Sequence, residues 1–333
     1  MQAVVFEEHG GPEKLQFKTV PDPVAGPDEV VVRVKACALN HVDLWVLKGG
    51  PAYPVQRPHV LGSDVSGIVE STGQRVVITP GLSCFQCAMC KSGHDNLCET
   101  YSILGAKFWG GYAEKVKVPA RDAIPIPDSL SFEDAAAFPL TFLTAWHMLM
   151  TRAGLKRGQQ VLIIGASGGI GTAAIQIAKL HGALVLATAT SDEKTRQARA
   201  LGADAVVNSS KESIAHVARA WTQKRGVDIV FEHVGPATWE HSIGSLAPTG
   251  TLVTCGATTG PEVKLDLRYV FSRELSILGA RMGTRSEFQQ IVPLVAQKKL
   301  TPQISKTFPL AEARAALEYM DQRQHFGKIL VIP

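Results

Sequence analysis

The chain of 333 residues is longer than most single domains, so its length favours two domains. Its net charge of +4 is small and its basic residues are dispersed, which argues against a nucleic-acid partner. No apolar run is long enough to cross a bilayer, and the first residues lack the pattern of a secretion signal. We therefore expect a cytoplasmic protein with no membrane partner.

The first third of the chain has the pattern of a β-rich domain. Short alternating or β-branched runs are separated by turns rich in Gly and Pro. The predicted strands are Ala3–Phe6, Val30–Val34, Val65–Val69, Val76–Thr79 and Ala113–Val118. The pattern changes near residue 126, which predicts a domain boundary, and a helical segment is predicted from Ser131 to His147.

Four of the six cysteines fall within fifteen residues, with two, two and seven residues between them. They are Cys84, Cys87, Cys90 and Cys98. Four thiolates on one loop are typical of a closed, structural zinc site. The alternatives are a reduced loop without metal and an iron–sulfur site. Cys37 and Cys255 lie in apolar, strand-like segments, so we expect small buried residues rather than ligands there.

The stretch Val161–Gly171 predicts a strand, a phosphate-binding turn and the start of a helix that continues through Thr172–Leu180. Two adjacent glycines would let the backbone approach a pyrophosphate, and a third would allow the helix to pack closely on the strand. The residues predicted to hold the pyrophosphate are Ala166, Ser167, Gly168, Gly169, Ile170 and Gly171. Ala166 replaces the usual first glycine, and such a turn alternatively only joins a strand to a helix.

After this turn, apolar strands alternate with amphipathic helices. The predicted strands are Leu184–Ala189, Ala205–Asn208, Asp228–Phe231, Gly250–Cys255 and Leu275–Leu278, and the helices are Asp192–Leu201, Ser213–Thr222 and Thr238–Leu246. Short connections and continuous apolar strands predict a parallel sheet covered on both faces. With the strand before the glycine turn, six strands make a doubly wound α/β domain for a dinucleotide.

The end of the chain departs from this alternation. Helices are predicted around Ser286–Gln297 and Ala311–Gln322, and a closing strand over Lys328–Ile332. A strand placed after the last strand of the sheet suggests that the chain returns to complete the first domain.

The residues after the second strand of the sheet favour NADP(H) over NAD. An NAD site carries a carboxylate at the end of that strand, where this chain has Ala189 and Thr190. A hydroxyl and two cations follow, which suit a 2′-phosphate. They are Ser191, Lys194 and Arg196. The alternative is that Thr190 and Glu193 form an ordinary capping box and that the cations are solvated.

A β-rich first domain, a four-cysteine lobe and a glycine turn within a six-stranded pattern together resemble the medium-chain dehydrogenase/reductase superfamily along essentially the whole chain. The resemblance implies a GroES-like catalytic domain of residues 1–126 and 282–333, with the zinc lobe at about 80–100. It implies a Rossmann domain of residues 127–281. The expected fold class is α/β, a doubly wound parallel sheet beside this β-rich domain.

Zinc alcohol dehydrogenases of this superfamily hold a catalytic zinc with ligands from three motifs, and all three are changed here. The motifs become Asn40-His41-Val42-Asp43, Gly62-Ser63-Asp64 and a position near Leu140. Zinc lowers the pKa of bound water from about 15.7 to about 7. This shift corresponds to a stabilisation of the bound anion on the order of 12 kcal/mol, which no single Asn or Ser replaces. We therefore expect no catalytic zinc. The exception would be an unfamiliar site assembled from His41, Asp43, His59, Asp64 or His147.

The surviving motifs resemble the quinone oxidoreductase and enoyl reductase branch, whose members lack the catalytic metal. That branch has an Asn-x-x-Asp motif, matched by Asn40 and Asp43, and a Tyr-Pro after a glycine loop, matched within Gly49–Pro54. The resemblance implies that Tyr53 donates a proton or polarises the substrate, and that Asn40 orients the substrate carbonyl. Asp43 completes the candidate catalytic set, and we expect it to order the loop rather than to transfer protons. Alternatively, Tyr53 packs on the loop and Asn40 satisfies local backbone.

The same resemblance assigns further positions. Thr144 would line the nicotinamide side of the cofactor, with backbone at the strand ends supplied by Val234, Gly256 and Gly279. Pairing of Leu275–Leu278 between subunits would build a homodimer or homotetramer. The four-cysteine lobe is normally absent from the quinone reductase branch, so the chain combines features of two groups.

We therefore expect an NADPH-dependent reductase of activated double bonds or quinones that carries one structural zinc and acts on a small molecule. Hydride transfer is expected in a cleft between the domains. One alternative is an alcohol or aldehyde dehydrogenase of the zinc-containing family. Another is a cofactor-binding protein without catalysis, of the zeta-crystallin type.

Overall fold

The computed structural model describes residues 1–50 and 53–333, which form two compact units. Unit 1 comprises Met1–Leu140 and Thr284–Pro333, and unit 2 comprises Thr141–Gly283. The compact units therefore place residues 127–140 with unit 1, whereas the sequence places the domain boundary near residue 126. The domain limits inferred from the sequence stay a prediction.

The two units are built from short strands and α-helices. The strands are β1 (Gln2–Phe6), β2 (Gln16–Thr19), β3 (Glu29–Ala38), β4 (His59–Val60), β5 (Asp64–Val69), β6 (Arg75–Ile78), β7 (Gly81–Leu82), β8 (Ser102–Ile103), β9 (Lys115–Pro119), β10 (Ala123–Pro125), β11 (Gln160–Ile163), β12 (Leu184–Ala189), β13 (Ala205–Asn208), β14 (Val227–Glu232), β15 (Leu246–Thr254), β16 (Ser276–Gly279), β17 (Ile304–Pro309) and β18 (Lys328–Ile332). The α-helices are α1 (His41–Lys48), α2 (Ala88–Lys91), α3 (Phe132–Ala137), α4 (Pro139–Trp146), α5 (Gly169–Leu180), α6 (Asp192–Ala200), α7 (Ile214–Trp221), α8 (Pro236–Ser245), α9 (Leu267–Ser272), α10 (Arg285–Ala296) and α11 (Ala313–Asp321). None of these helices has the length and hydropathy needed to cross a membrane.

Unit 1 is built on a mixed seven-stranded sheet in the order β10-β6-β5-β3-β18-β17, with β9 also paired to β3. Strand β18 pairs antiparallel with β3, so that Leu330 faces Ala38 and Val331 faces Cys37. The last strand of the chain thus lies beside the strand that leads into α1. This register brings the first residue of β18, Lys328, to the end of β3.

Unit 2 is a six-stranded parallel sheet in the order β13-β12-β11-β14-β15-β16. The apolar residues of β11, Val161 to Ile163, are fully buried, which is typical of a strand covered on both faces. The strand order reverses between β11 and β14. The carboxyl ends of these two strands define the place where doubly wound sheets bind dinucleotides.

Two of the differences between the fold and the sequence-based expectation have a clear local cause. The helical segment predicted from Ser131 to His147 is divided into α3 and α4, because Pro139 lacks an N–H and its ring disfavours a continuing helix at Phe138. It then ends in π-helical turns over His147–Arg152. Strand β17 was not predicted, since five of its six residues are exposed and no apolar alternation marks it.

Candidate functional site

A buried polar cluster lies at the junction of β3, β5 and β18. The Nζ atom of Lys328 donates to the Leu39 carbonyl at 2.7 Å, to Asn40 Oδ1 at 2.6 Å and to Asp64 Oδ2 at 3.0 Å. The amide nitrogen of Asn40 donates to the same Asp64 oxygen at 2.8 Å. Lys328 and Asp64 are 4% and 0% exposed, so the ion pair is screened from water.

The local sequence explains this convergence. Asn40 is the N-cap of α1 and lies two residues after the end of β3, while Asp64 is the first residue of β5, which pairs with β3. The backbone N–H of Leu140 donates to Asp64 Oδ1 at 2.8 Å, so both carboxylate oxygens accept hydrogen bonds. A buried ion pair of this kind is held by complete hydrogen bonding, because the desolvation of each charge is costly.

Asp43 belongs to the same cluster and orders the start of α1. Its Oδ2 accepts the backbone N–H of Asn40 at 2.8 Å and the hydroxyl of Tyr112 at 2.9 Å. Burial raises the pKa of Asp43 to about 6, against the opposing effects of these two hydrogen bonds and of Lys328. Burial, together with Asp43, also holds the pKa of Tyr112 well above its ordinary value.

Tyr53 packs against helix α1. Its ring stacks on Trp45, with ring centroids 6.3 Å apart, and is half-buried against the core of unit 1. Its backbone N–H donates to Gly50 at 3.1 Å. The two loop residues before it, Pro51 and Ala52, lie outside the described residues.

The glycine turn of unit 2 has the geometry that the sequence predicts. A Cβ on Gly171 would lie 2.4 Å from the Gly165 carbonyl oxygen, so glycine is needed for α5 to pack on β11. A Cβ on Gly168 would meet nothing closer than 3.8 Å, which leaves open space above the turn. Ala166 is buried, Ser167 is partly exposed, and Gly169 and Ile170 open the first turn of α5. Unpaired N–H groups at such a helix start suit a phosphate.

The residues assigned to the 2′-phosphate stand at the start of α6. Ser191 is the N-cap, and its Oγ accepts the backbone N–H of Lys194 at 3.3 Å. The capping box suggested for Thr190 and Glu193 is therefore wrong, because the cap lies one residue later. The Glu193 carboxylate instead pairs with Arg196, and both side chains are exposed.

The strand ends of unit 2 carry the remaining predicted residues. Val234 follows β14, Gly256 follows β15 and Gly279 ends β16. Thr144 is buried on α4 and donates to Met282 Sδ at 3.6 Å. These positions belong to one unit, in which the carboxyl ends of the parallel strands meet at one edge.

Several residues of these sites were missed by sequence reasoning. Lys328 and Tyr112 complete the polar cluster, and the one signal for Lys328 is a lysine at the head of an apolar strand. In unit 2, the fully buried Glu232 accepts the backbone N–H groups of Val234 at 2.6 Å and Gly235 at 3.1 Å. It thereby fixes the loop at the carboxyl end of β14.

The four cysteines lie together as predicted. Their sulfur atoms all fall within 4.8 Å of one another, and two of the distances are 3.5 Å (Cys84 to Cys98) and 3.9 Å (Cys84 to Cys90). Sulfurs bound tetrahedrally at about 2.3 Å from zinc are about 3.8 Å apart. The remaining cysteines are separate: Cys37 is fully buried, and Cys255 is partly exposed just beyond β15, contrary to expectation.

Comparison with known proteins decides the family. A model described as an alcohol dehydrogenase GroES-like domain matches residues 26–128, and one described as a zinc-binding dehydrogenase matches residues 169–297. Quinone oxidoreductase of Mus musculus is 32% identical over 96% of this chain and 93% of its own length. The chain belongs to the medium-chain dehydrogenase/reductase superfamily.

Solved structures of this superfamily agree closely with the fold. The crystal structure of an NAD-dependent alcohol dehydrogenase has a TM-score of 0.96 and 44% sequence identity, with full coverage of both chains. The crotonyl-CoA carboxylase/reductase AntE, solved in complex with NADP, has a TM-score of 0.91 and 26% identity, covering 100% of this chain and 94% of that one. The expected fold class and the assignment as an oxidoreductase are thus confirmed.

The residues at the three changed motifs do not fit the catalytic zinc of zinc-dependent members of the superfamily. At the positions of the zinc ligands they offer the amide of Asn40, the hydroxyl of Ser63 and, near the third position, the apolar Leu140, whereas zinc sites are built from Cys, His and carboxylate ligands. Both oxygens of Asp64 already accept hydrogen bonds, one of them from an ammonium. Within residues 1–50 and 53–333, one group of three or more potential metal ligands has its ligand atoms close together. That group is the four cysteines.

The histidines suggested for an unfamiliar second site have other surroundings. The Nε2 atom of His59 contacts the Gly105 carbonyl at 2.9 Å, and the His41 ring packs edge-on against Trp45 at 5.4 Å. His147 is buried in the π-helical turns. The described contacts therefore give no support to a site built from these residues with Asp64.

Proposed function

We propose that this protein is an NADPH-dependent reductase of activated double bonds or quinones, with a structural zinc and without a catalytic zinc. The observation that carries the proposal is the Lys328 ammonium, which is bonded to Asn40 and paired with Asp64. A lysine cation thus takes up the acceptors at two of the changed motif positions. Activation of a substrate by hydrogen bonding and proton donation is the chemistry that remains.

Bound NADPH would supply a hydride for the β-carbon of an enone or the ring of a quinone, which would leave the added electron pair on the substrate oxygen. A proton must be delivered to that product. A tyrosine phenol, with an ordinary pKa of about 10, is a suitable proton donor at neutral pH. We assign Tyr53 as the donor and the Asn40 amide as the group that orients the carbonyl.

The cofactor assignment follows from unit 2. The open space at Gly168 and the N–H groups at the start of α5 support a pyrophosphate there. Ser191, Lys194 and Arg196 support a 2′-phosphate, with Arg196 released from its exposed pair with Glu193. Exposed pairs of this kind contribute little to stability, so the exchange costs little.

The four-cysteine cluster is proposed to hold the structural zinc, as its sulfur spacing supports. Free thiolates that bind metal are typical of a reducing compartment, which supports a cytoplasmic location. A closed four-thiolate site has no open position for substrate, so its contribution is to the stability of the lobe.

The rival function is alcohol or aldehyde oxidoreduction, which the 44% identical NAD-dependent alcohol dehydrogenase favours. One screen separates the two. Purified protein is assayed for NADPH oxidation with enones, quinones and aldehydes, for NAD(P)⁺ reduction with alcohols, and for zinc by elemental analysis. We expect enone or quinone turnover and about one zinc per chain. Turnover restricted to alcohols and aldehydes, with two zinc ions per chain, would overturn the proposal. Tight NADPH binding without turnover of any acceptor would favour a protein without catalysis.

A further inference from the structure

The Lys328 ammonium donates its hydrogen bonds to three oxygen atoms. Its three acceptors are a backbone carbonyl, a side-chain amide and a carboxylate, from Leu39, Asn40 and Asp64, at 2.6 to 3.0 Å. An ammonium has three N–H groups and no acceptor capacity, so each hydrogen has one partner. All three N–H groups of the Lys328 ammonium are therefore paired, and the ammonium is buried.

We propose that this cluster is a cation site whose resident cation is the Lys328 ammonium, and that Lys328 is a positioning residue because it fixes the orientation of the Asn40 amide. The second part rests on the function proposed above, in which Asn40 orients the substrate carbonyl. The first part, the cation site itself, is independent of that function.

The orientation of the Asn40 amide follows from the charges on either side of it. Its oxygen accepts from the Lys328 ammonium and its nitrogen donates to the Asp64 carboxylate. A flipped amide would place its NH₂ against the ammonium and its oxygen against the carboxylate, which reverses both charge-assisted hydrogen bonds. Asp64 takes one Nδ2 hydrogen, and the second is the one assigned to the substrate. Lys328 therefore determines which Asn40 atom is available as the donor.

The Lys328 ammonium also affects the pKa values of other titratable groups in the cluster. Asp43 and Cys37 are both buried close enough for Asp64 and Lys328 to affect their pKa values. A single ammonium thus faces two carboxyl groups and a thiol. Its removal would leave Asp64 as a buried carboxylate without a counter-charge, which is strongly destabilising.

The cation site is tested by chemical rescue. Lys328→Ala removes the ammonium and leaves space for a small amine, so methylammonium or ethylammonium chloride should raise the melting temperature of the variant saturably, by several degrees. Tetramethylammonium chloride at equal ionic strength cannot donate hydrogen bonds and should not. Lys299→Ala, at an exposed lysine of unit 1, serves as the matched control and should respond equally to both salts. Equal responses of Lys328→Ala to both salts would overturn the cation site.

The positioning role is tested in a variant in which both members of the Lys328–Asp64 ion pair are replaced by neutral residues. In Lys328→Met with Asp64→Asn, the ion pair is removed as a whole and Asp64 is not left as a buried carboxylate without its counter-charge, so this variant keeps the test open if the alanine variant does not fold. We expect kcat to fall at least tenfold while the dissociation constant of NADPH changes less than twofold. Wild-type kcat in the double variant would show that Lys328 only neutralises charge, and would overturn the positioning role.

The outcomes distinguish failure of this inference from failure of the proposed function. A wild-type protein without reductase activity would remove the proposed function and, with it, the positioning role. The saturable effect of small amines on melting temperature would still decide whether Lys328 occupies a cation site.

Discussion

Burial and hydrogen bonding shift the pKa of the Asp43 carboxyl group in opposite directions. Burial is the larger effect and sets its pKa at about 6, above the ordinary value of 3.8. The folded protein therefore holds this proton at pH values where the unfolded chain has lost it. The stabilisation that Asp43 gives is complete below about pH 4 and is lost as the pH rises through about 6.

The direction of this pH dependence leads to a prediction for Asp43→Asn. The substitution removes the titration and keeps an oxygen acceptor for the Asn40 N–H or the Tyr112 hydroxyl. The free energy of unfolding of the wild type, relative to the variant, should fall by about 1.4 kcal/mol between about pH 5 and pH 7.5. Urea unfolding at the two pH values measures it. Asp321→Asn, at an exposed carboxylate, is the control. A wild-type advantage that is constant with pH would contradict the assignment.

Tyr53 is the residue whose assigned role depends most on resemblance. Tyr53→Phe keeps the ring that stacks on Trp45 and removes only the hydroxyl. Loss of a general acid lowers turnover by about 10²-fold or more, so we expect kcat to fall by that order while NADPH affinity changes little. Steady-state kinetics and cofactor titration check this. Tyr319→Phe, which also keeps a packed ring, should behave as wild type. Unchanged turnover in Tyr53→Phe would remove Tyr53 from catalysis.

At the scale of elements, helix α6 carries the residues that we assign to the discrimination between NADPH and NADH. Its N-cap, Ser191, lies directly after β12, and Lys194 and Arg196 lie in its first two turns. Hydrogen bonds between a charged side chain and phosphate are worth about 1.5–3 kcal/mol each. Lys194→Ala with Arg196→Ala should therefore weaken NADPH binding at least about tenfold and leave NADH binding nearly unchanged.

Fluorescence titration with both cofactors measures this difference, and Arg199→Ala, in the last turn of the same helix, is the control. Equal losses for NADPH and NADH would mean that the 2′-phosphate is recognised elsewhere. A pre-existing preference of the wild type for NADH would contradict the assignment of NADP(H) itself.

The elements that the sequence predicts well are those with a local pattern. The glycine turn, the cysteine spacing and the apolar strands of unit 2 are each contained in short stretches, and the parallel sheet follows from them. The Lys328 cluster could not be found this way, because its ion pair joins residues 264 positions apart. Its partners come together through the pairing of β3 with both β18 and β5. The N-cap of α6 was misplaced by one residue because Thr190 and Ser191 are both good caps.

At the scale of the whole chain, unit 1 is assembled from both ends of the sequence, with unit 2 inserted between them. Strand β18 closes the sheet of unit 1 and also supplies Lys328, so the last residues of the chain contribute to both stability and the candidate site. Unit 2 contributes its own complete sheet and the proposed cofactor residues. Under the proposed function, substrate activation and cofactor binding would belong to separate stretches of sequence.

The outer strand of the unit 2 sheet leads to the last prediction, which concerns assembly. Strand β16 is at the edge of the sheet and largely exposed, with Ile277 at 37%. Helix α9, which precedes it, also exposes apolar side chains, with Leu267 at 68% and Phe271 at 70%. An open edge strand with apolar neighbours is a template for pairing, and a two-fold axis would continue the sheet into a second copy.

We therefore predict that the protein is a homodimer or homotetramer and that Ile277→Asp shifts it toward the monomer. A buried carboxylate at the paired edge would lack a counter-charge, which opposes association. Light scattering after size-exclusion chromatography, over a range of concentrations, measures the mass. Val24→Asp, at an exposed apolar position of unit 1, should leave the mass unchanged. A wild-type chain that stays monomeric at every concentration, or an Ile277→Asp variant that keeps the wild-type mass, would show that β16 does not form the subunit interface.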